Sequence, residues 1–158
     1  MGRVVLLDEL RRVRSEDRKA GRTVVFTNGC FDILHRGHLE YLLKSKALGD
    51  VLIVGINSDN SMRRIKGPKR PIIPQDDRAY LVAHLSPVDY VCMFDEDTPL
   101  ALITALLPDV LVKGADWSID TIVGRDVVEQ SGGRVSTIEL LPGHSTSAII
   151  KDIAERFS

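Results

Sequence analysis

The sequence has little of what extracellular and membrane proteins depend on. It contains only two cysteines, Cys30 and Cys92, among 158 residues, too few for a disulfide framework. No apolar run is long enough to span a membrane, and the chain opens without the pattern of a secretory signal peptide. We therefore expect a cytoplasmic location.

An excess of charge of one sign is also missing. The 21 basic residues nearly balance the 22 acidic ones, so the net charge favours neither nucleic acid nor a membrane surface as a partner. Any basic site must therefore be local. A hydrophobic content of 44% in 158 residues fits one core, and we predict a single domain over residues 1–158.

What the sequence does contain is a regular alternation of two kinds of segment. Short apolar and β-branched runs, such as TVVFTN and VLIVGIN, are typical of strands buried on both faces. Between them lie stretches with helical periodicity, beginning with an opening helix within residues 1–21. Such strands pair in parallel through right-handed crossovers. The sequence thus predicts an α/β fold, a Rossmann-like, doubly wound sheet of five parallel strands.

Residues 58–74, which we call the basic segment, interrupt this alternation. The 17 residues SDNSMRRIKGPKRPIIP have no clear periodicity, and an irregular connection of this length favours a functional loop. Five cations fall within eight of these residues: Arg63, Arg64, Lys66, Lys69 and Arg70. We predict a mobile basic lid that closes over a phosphorylated ligand; a solvated loop without function is the alternative.

The stretch TNGCFDILHRGH, residues 27–38, follows the first buried strand and leads into a helix. Ligands of open α/β sheets lie beyond the carboxyl ends of the strands, where helix N-termini favour phosphate. His35 and His38 are three residues apart, so both side chains can reach one phosphate. Gly37 leaves the backbone accessible. The pattern predicts a phosphate-binding turn.

Zinc binding and plain helix capping remain open as alternative roles for this stretch. Cys30, His35 and His38 have side chains that bind zinc, but no second Cys or His pair completes a set of four ligands. The two histidines would also serve as plain helix caps. A redox centre is disfavoured because C-x-x-C is missing, and a dinucleotide site is disfavoured because G-x-G-x-x-G is missing.

The stretch GCFDILHRGH resembles the signature of the nucleotidyltransferase superfamily, the cytidylyltransferase-like enzymes whose H-x-G-H motif holds a triphosphate. Over nearly its whole length the chain is similar to the heptose 1-phosphate adenylyltransferases, which often form the C-terminal half of a bifunctional heptose kinase/adenylyltransferase. The similar segments are FTNGCFDILHRGH, LGDVLIVGINSD, RIKGPKRPI, FDEDTP, PDVLVKGADW and GHSTSAIIKDI. No sugar-kinase half is present, so the resemblance implies a stand-alone form.

The resemblance implies transfer of AMP from ATP to D-glycero-D-manno-heptose 1-phosphate, for lipopolysaccharide biosynthesis. A sugar-phosphate oxygen attacks the α-phosphorus of ATP, so the protein has only to position and stabilise charge. Magnesium is expected with ATP, although the sequence shows no carboxylate cage and we assign no metal ligand. The implied partners are ATP and a sugar phosphate, without nucleic acid or membrane, in a homodimer or higher homo-oligomer.

The motif and the resemblance together assign three sets of site residues. The catalytic residues are His35, His38 and Lys66. The nucleotide-binding residues are Thr27, Asn28, Gly29, Cys30, Phe31, Gly37, Arg70, Lys113, Gly114, Asp116, Ser145 and Thr146. The acceptor-binding residues are Asp32, Asn57, Asp59 and Arg78.

Plainer roles remain open for several residues. Ser145 fits a helix N-cap, and Asn57 and Asp59 fit turns. Arg78 fits an ion pair with an aspartate of its own helix. Trp117, the only tryptophan, fits an interface or the core as well as the border of the nucleoside site.

Two competing functions also remain. A cytidylyltransferase acting on glycerol 3-phosphate or another alcohol phosphate would use the same chemistry. Such enzymes carry a basic RTEGIST segment where this chain has LLPGHST, and the missing arginine disfavours that assignment. A nucleotide-sensing module without turnover is disfavoured by the intact histidine pair and the basic segment.

Overall fold

Strands and helices alternate along the chain as the sequence pattern predicts. The computed structural model describes residues 1–158. Its strands are β1 (Arg3–Val4), β2 (Val24–Gly29), β3 (Val51–Asn57), β4 (Tyr90–Phe94), β5 (Val110–Gly114) and β6 (Arg134–Ile138). Its α-helices are α1 (Leu7–Lys19), α2 (Arg36–Lys46), α3 (Asp59–Lys66), α4 (Gln75–Ala83), α5 (Leu100–Leu106), α6 (Arg125–Gln130) and α7 (Thr146–Phe157), and a 3-10 turn spans Ile119–Thr121.

The strands form one sheet in the order β1-β4-β3-β2-β5-β6, and every pairing is parallel. From β2 the chain winds outward through β3 to β4, then returns to place β5 on the other side of β2. The α/β class and the doubly wound parallel sheet are confirmed. The winding direction changes between β2 and β5, and such a switch point opens a crevice at the carboxyl ends of the strands.

The sheet has one strand more than the five we predicted. β1 contains only Arg3 and Val4, which pair with Tyr90 and Val91 of β4 at the sheet edge. Both residues of β1 are exposed, so no buried apolar run marks the strand in the sequence. The predicted opening helix correspondingly starts only at Leu7.

The basic segment contains more regular structure than we predicted. Its first half is α3, whose N-cap Ser58 accepts a hydrogen bond at Oγ from the backbone N–H of Ser61, at 3.0 Å. Ser61 and Met62 are the only buried residues of this eight-residue helix. Met62 and Ile65 are its only apolar residues, too few to mark a helix in the sequence. The rest of the segment connects α3 to α4.

Both faces of the sheet are buried. Val25, Leu52 and Val54 belong to a cluster of 15 buried apolar residues that includes side chains of α2 and α4. Phe26 and Ile53 point the other way, into a cluster of 14 residues with side chains of α1, α5 and α6. Successive side chains of a strand point to opposite faces, so burial on both sides explains the continuous apolar runs. None of the helices combines the length and the apolarity that crossing a lipid bilayer requires.

A buried arginine fastens α1 to the end of α5. Arg14 donates from Nε to the carbonyl of Leu106 at 3.1 Å and from Nη2 to that of Leu107 at 2.9 Å. The same Nη2 lies 2.8 Å from Asp109 Oδ1, and the Arg14 side chain is only 5% exposed. The last carbonyls of a helix have no partner inside it, so Arg14 supplies the donors that α5 needs.

Replacing Arg14 by methionine should lower the free energy of unfolding by about 1–3 kcal/mol, because buried acceptors lose their donors. Urea unfolding followed by far-UV circular dichroism measures this. Arg11→Met is the matched control, since Arg11 is exposed and pairs only with Asp8; it should change stability by less than about 0.5 kcal/mol. Equal unfolding midpoints for the two variants would contradict the capping role of Arg14.

Candidate active site

A cavity of about 690 Å³ opens at the carboxyl end of the sheet, around the switch point. Its walls come from the turn after β2, the start of α2, the ends of β3, α3 and β5, and the start of α7. A cavity of this size suits a small-molecule ligand. Every predicted site residue lines it except Thr27, Asp59 and Arg78.

The two histidines of H-x-G-H stack on each other at the start of α2. Their ring centroids are 3.9 Å apart, and His35 is the N-cap residue. His38 Nδ1 accepts a hydrogen bond from the backbone N–H of His35 at 3.4 Å. The neutral His38 ring therefore carries its proton on Nε2. The helix-capping alternative thus holds for Nδ1 of His38. Its Nε2–H is left as a donor with no partner in the chain.

Both histidines are held in the neutral form. Burial lowers the pKa of His38 to about 4, with a smaller contribution from His35. Burial also lowers the pKa of His35, and His144 adds to this shift; the rings of His35 and His144 are 6.4 Å apart. Nδ1 of His35 is buried without a hydrogen-bond partner. At neutral pH the pair therefore offers hydrogen-bond donors rather than positive charge.

Gly37 permits the close packing around these rings. A β-carbon at this position would lie 3.0 Å from Cε1 and Nδ1 of His35 and 3.1 Å from Cβ of His144. Such distances are shorter than ordinary van der Waals contact, so a side chain would displace the His35 ring or the residues leading into α7. The absence of a side chain brings α2 and α7 together at the cavity.

Lys113 joins the two strands that flank the switch point. It stands near the end of β5 and donates to the Oδ1 atom of Asn28 near the end of β2. Burial lowers the pKa of Lys113 to about 8, opposed by smaller contributions from Cys30 and Asp116. No carboxylate forms a salt bridge with it. A buried ammonium without a counter-ion favours an anionic ligand.

Two of the five cations of the basic segment face the cavity, Lys66 and Arg70. Arg63 instead bonds to Asn60 on α3, and Arg64 pairs with Asp97 at 2.6 Å. Arg63 and Arg64 of the basic segment thus bind other surface residues, and the charge available to a ligand comes from Lys66 and Arg70.

The start of α7 forms the opposite wall. Ser145 is the N-cap, as its sequence predicts, and its Oγ accepts from the backbone N–H of Ala148 at 3.1 Å. Thr146 donates from Oγ1 to the carbonyl of Ile33 at 3.2 Å, which ties α7 to the turn after β2. The remaining free N–H groups of the first turn suit an anion.

Three predicted ligand-binding residues lie behind the cavity wall, and we reassign them to support. The Thr27 hydroxyl, fully buried, lies 2.7 Å from the Tyr41 hydroxyl and bonds to the Val112 carbonyl. Arg78 is likewise fully buried and pairs with Asp59 at 2.8 Å, not with an aspartate of its own helix. The polar atoms of Thr27 and Arg78 are thus bonded inside the protein, and Asp59 is held by Arg78, which favours a supporting role over contact with a substrate phosphate.

The cavity also has an apolar side that the sequence analysis missed. It is lined by Ile122, Val123, Leu140 and Leu141 next to Trp117. Trp117 is 53% exposed and is therefore not a core residue. Apolar residues without a motif give no sequence signal for a binding site, because the same residues fill every core. We call Trp117 and these four residues the apolar half of the cavity, and the part lined by Lys66, Arg70 and Asn57 its basic half.

No group of three or more His, Cys, Asp or Glu residues is arranged to hold a metal ion. Cys30, His35 and His38 therefore do not form the zinc site that the sequence left open. Burial raises the pKa of the Cys30 thiol, which disfavours the thiolate that zinc requires.

The His38 ring should titrate with a midpoint at about 4 in the ligand-free protein, well below the 6.5 of an ordinary histidine. A pH series of proton NMR spectra measures this, with the resonance assigned by its loss in His38→Gln. Since the folded state then binds fewer protons than the unfolded state, stability should fall as the pH drops from 6.5 towards 4, and this fall should shrink in His38→Gln. A midpoint at or above 6.5 would contradict the neutral pair.

Comparison with known proteins identifies the family. A family model described as Cytidylyltransferase-like matches residues 26–152. The bifunctional protein HldE of Syntrophotalea carbinolica is 54% identical over 155 residues, which cover 98% of this chain and 32% of that protein. HldE of Trichlorobacter lovleyi is 54% identical over 149 residues, covering 94% of this chain and 30% of that protein. The chain spans about a third of the length of these curated relatives.

A solved structure supports the same grouping. The crystal structure of the lipopolysaccharide core biosynthesis protein from Thermoplasma volcanium matches with a TM-score of 0.63 and 31% identity, covering 77% of this chain and 98% of that one. Enzymes of the matched family generally use ATP and a divalent metal. With the H-x-G-H pair at the switch point and a family match over most of its length, the chain belongs to the cytidylyltransferase-like family and is a nucleotidyltransferase.

Proposed function

We propose that this chain is a heptose 1-phosphate adenylyltransferase, which transfers AMP from ATP to D-glycero-D-manno-heptose 1-phosphate for lipopolysaccharide core biosynthesis. The observation that carries the proposal is one cavity in which two neutral imidazoles face three cations, Lys66, Arg70 and Lys113. The similarity to HldE proteins and to a lipopolysaccharide core biosynthesis protein supports the substrate. We propose residues 1–158 as the nucleotidyltransferase domain.

In this reaction an oxygen of the sugar phosphate attacks the α-phosphorus of ATP. The new bond between this oxygen and the α-phosphorus forms as the bond to the bridging oxygen breaks, and pyrophosphate leaves with that electron pair. Negative charge shifts onto the leaving and nonbridging oxygens. Donors aimed at these oxygens stabilise the transition state more than the ground state, so no protein nucleophile is needed.

We assign His35 and His38 as those donors. The Nε2–H of His38 has no partner in the chain, and its orientation is fixed by the hydrogen bond that its other nitrogen accepts. Because burial keeps the ring neutral, it needs no counter-ion and keeps a single proton, on Nε2. The pair is thus oriented before ATP binds, which is the condition for electrostatic stabilisation.

The rest of the nucleotide would lie between β5 and α7. Lys113 and the free N–H groups at Ser145 and Thr146 would hold the triphosphate, and the apolar half of the cavity beside Trp117 would hold the nucleoside. Asn28, Gly29, Cys30, Phe31, Gly37, Gly114 and Asp116 complete the nucleotide-binding residues that we propose.

The sugar phosphate would then lie on the side of β3, in the basic half of the cavity. Lys66, Arg70 and Asn57 line this half, and we propose that they bind the acceptor phosphate and the leaving pyrophosphate. Lys66 has no hydrogen-bond partner in the chain, so its ammonium is free to follow the charge as it moves from one phosphate to the next.

We propose magnesium as the divalent ion, carried into the site by ATP. No protein group of three or more ligands is present to hold it, and magnesium commonly keeps substrate phosphates and water as its main ligands. Bound in this way, the ion would neutralise part of the triphosphate charge.

We further propose a cytoplasmic homo-oligomer, a homodimer or larger. The support is a set of large apolar side chains left on the surface, among them Leu6 at 81%, Tyr80 at 61% and Phe157 at 84% exposed. Such side chains favour a protein contact where they form a continuous patch on one face.

The substrates are tested by measuring pyrophosphate release with each of ATP, GTP, CTP and UTP, against heptose 1-phosphate and glycerol 3-phosphate. We expect turnover with ATP and heptose 1-phosphate in the presence of magnesium. Turnover only with CTP and glycerol 3-phosphate would instead establish the cytidylyltransferase alternative. Tight nucleotide binding without any release would establish a sensing module.

Replacing His35 or His38 by alanine should each lower turnover on the order of 10²- to 10³-fold, by analogy with lost oxyanion donors. Circular dichroism and the unfolding midpoint of each variant check that the fold is retained. His84→Ala is the matched control, because His84 lies at the end of α4 outside the cavity. Near-normal turnover in both catalytic variants would refute the assignment.

A further inference from the structure

The carboxylate of Asp32 joins the turn after β2 to the end of the basic segment. Its Oδ1 accepts hydrogen bonds from the backbone N–H groups of Ile72 and Ile73, both at 2.8 Å. Its Oδ2 accepts from Nε of Arg70 at 2.5 Å and from the Ile72 N–H at 3.0 Å. Three donors of one segment thus converge on a single side chain.

These contacts leave Asp32 no capacity for a ligand. A carboxylate has about four acceptor positions, and each Asp32 oxygen already accepts two contacts. The side chain is only 1% exposed. Asp32 borders the cavity, but its oxygens face the basic segment.

The charge on Asp32 is maintained despite its burial. Burial raises the pKa of this carboxyl, but hydrogen bonds from Ile73, Ile72 and Arg70 outweigh burial, and the pKa is lowered overall. Hydrogen bonds to an ionised acceptor are stronger than those between neutral groups. Asp32 therefore acts as a firm anchor at neutral pH.

The anchor also orients Arg70. Since Nε is bound to Asp32, the guanidinium plane is fixed, and its two terminal nitrogens form no hydrogen bond within the chain. Arg70 lines the cavity with its side chain 18% exposed. The free edge of the guanidinium is the part that pairs with phosphate.

A second brace joins the same two segments. Arg78 donates to the carbonyls of Ile73 and Cys30, at 2.9 and 2.5 Å. Ile73 belongs to the basic segment and Cys30 to the turn after β2. Phe31, between Cys30 and Asp32, has φ at 48°, a left-handed conformation that is unfavourable for an aromatic residue. A strained residue persists where neighbouring contacts hold it. Phe31 lies between the contacts of Arg78 with Cys30 and of Arg70 with Asp32, which hold it in place.

We propose that Asp32 is a positioning residue, which holds the basic segment against the phosphate turn and aims Arg70 at the substrate phosphate. This replaces the acceptor-binding role predicted for Asp32 from the sequence. It depends on the proposed function only for the identity of the phosphate that Arg70 binds.

The structural part is tested by hydrogen exchange in the ligand-free protein. In Asp32→Ala, the amides of Ile72 and Ile73 should exchange at least about 10-fold faster, since they lose their acceptor, while the Val54 amide in the centre of the sheet should be unchanged. Asp76→Asn, an exposed carboxylate on α4, is the control and should leave all three amides unchanged. Unchanged exchange at Ile72 and Ile73 in Asp32→Ala would overturn the proposal.

The functional part is tested by a double-mutant cycle on Asp32→Asn and Arg70→Ala, with kcat and KM for the sugar phosphate measured separately. The asparagine keeps one oxygen that accepts from Ile72 and Ile73, which preserves the fold. Its amide nitrogen replaces the oxygen that accepts from Arg70, so that contact is lost. Each single variant should lower kcat/KM by about 30-fold or more. The double variant should fall no further than the worse single variant, because both remove the same oriented contact.

Losses that multiply in the double variant would mean that Asp32 acts on the substrate independently of Arg70, and would overturn the proposal. If no substrate pair gives turnover, the proposed function fails while the exchange measurement still decides the anchor. In that case the cycle is run on pyrophosphate affinity by calorimetry, with the same non-additivity expected.

Discussion

The change of winding direction between β2 and β5 is the constraint on which the site depends. Because the chain leaves β2 towards β3 and returns to β5 on the other side, the loops at the carboxyl ends of these two strands must diverge. The hydrogen bond from Lys113 to Asn28 crosses this point and forms the floor of the cavity. As a consequence, the turn after β2, the basic segment and the start of α7 all reach the same opening.

The charges around the cavity are only partly balanced by the protein's own groups. Two rings stacked at 3.9 Å would repel each other if both were protonated, and burial removes that problem by keeping them neutral. Arg70 is partly balanced by Asp32, whereas Lys113 has only an amide partner. Uncompensated charge is thus limited to a few positions, which are those that a phosphate would neutralise.

The sequence predicts the fold class and most of the cavity wall because both leave local signals. Continuous apolar runs predict buried parallel strands, and H-x-G-H marks the strand–helix turn that lies at the switch point. β1 escaped prediction because its two exposed residues have no such signal. Arg78 was assigned to substrate because its partners, apart from Asp59, are three backbone carbonyls, two of which, those of Cys30 and Asn57, are distant in sequence. Every residue has a carbonyl, so no pattern reveals which three will meet one guanidinium.

The buried polar side chains show how the site keeps its shape. Of the nine buried polar or charged residues, six lie on β2 and β3, in the turn after β2, or between β3 and the end of α4: Thr27, Asp32, Asn57, Ser58, Ser61 and Arg78. Burying a polar group is unfavourable unless it is hydrogen-bonded, and each of these six has a partner. An apolar core would be equally compact but would not fix the orientation of the side chains, whereas hydrogen bonds hold donors at defined angles to their acceptors. The polar support is therefore concentrated around the turn after β2 and the basic segment, where Asp32 fixes the orientation of Arg70.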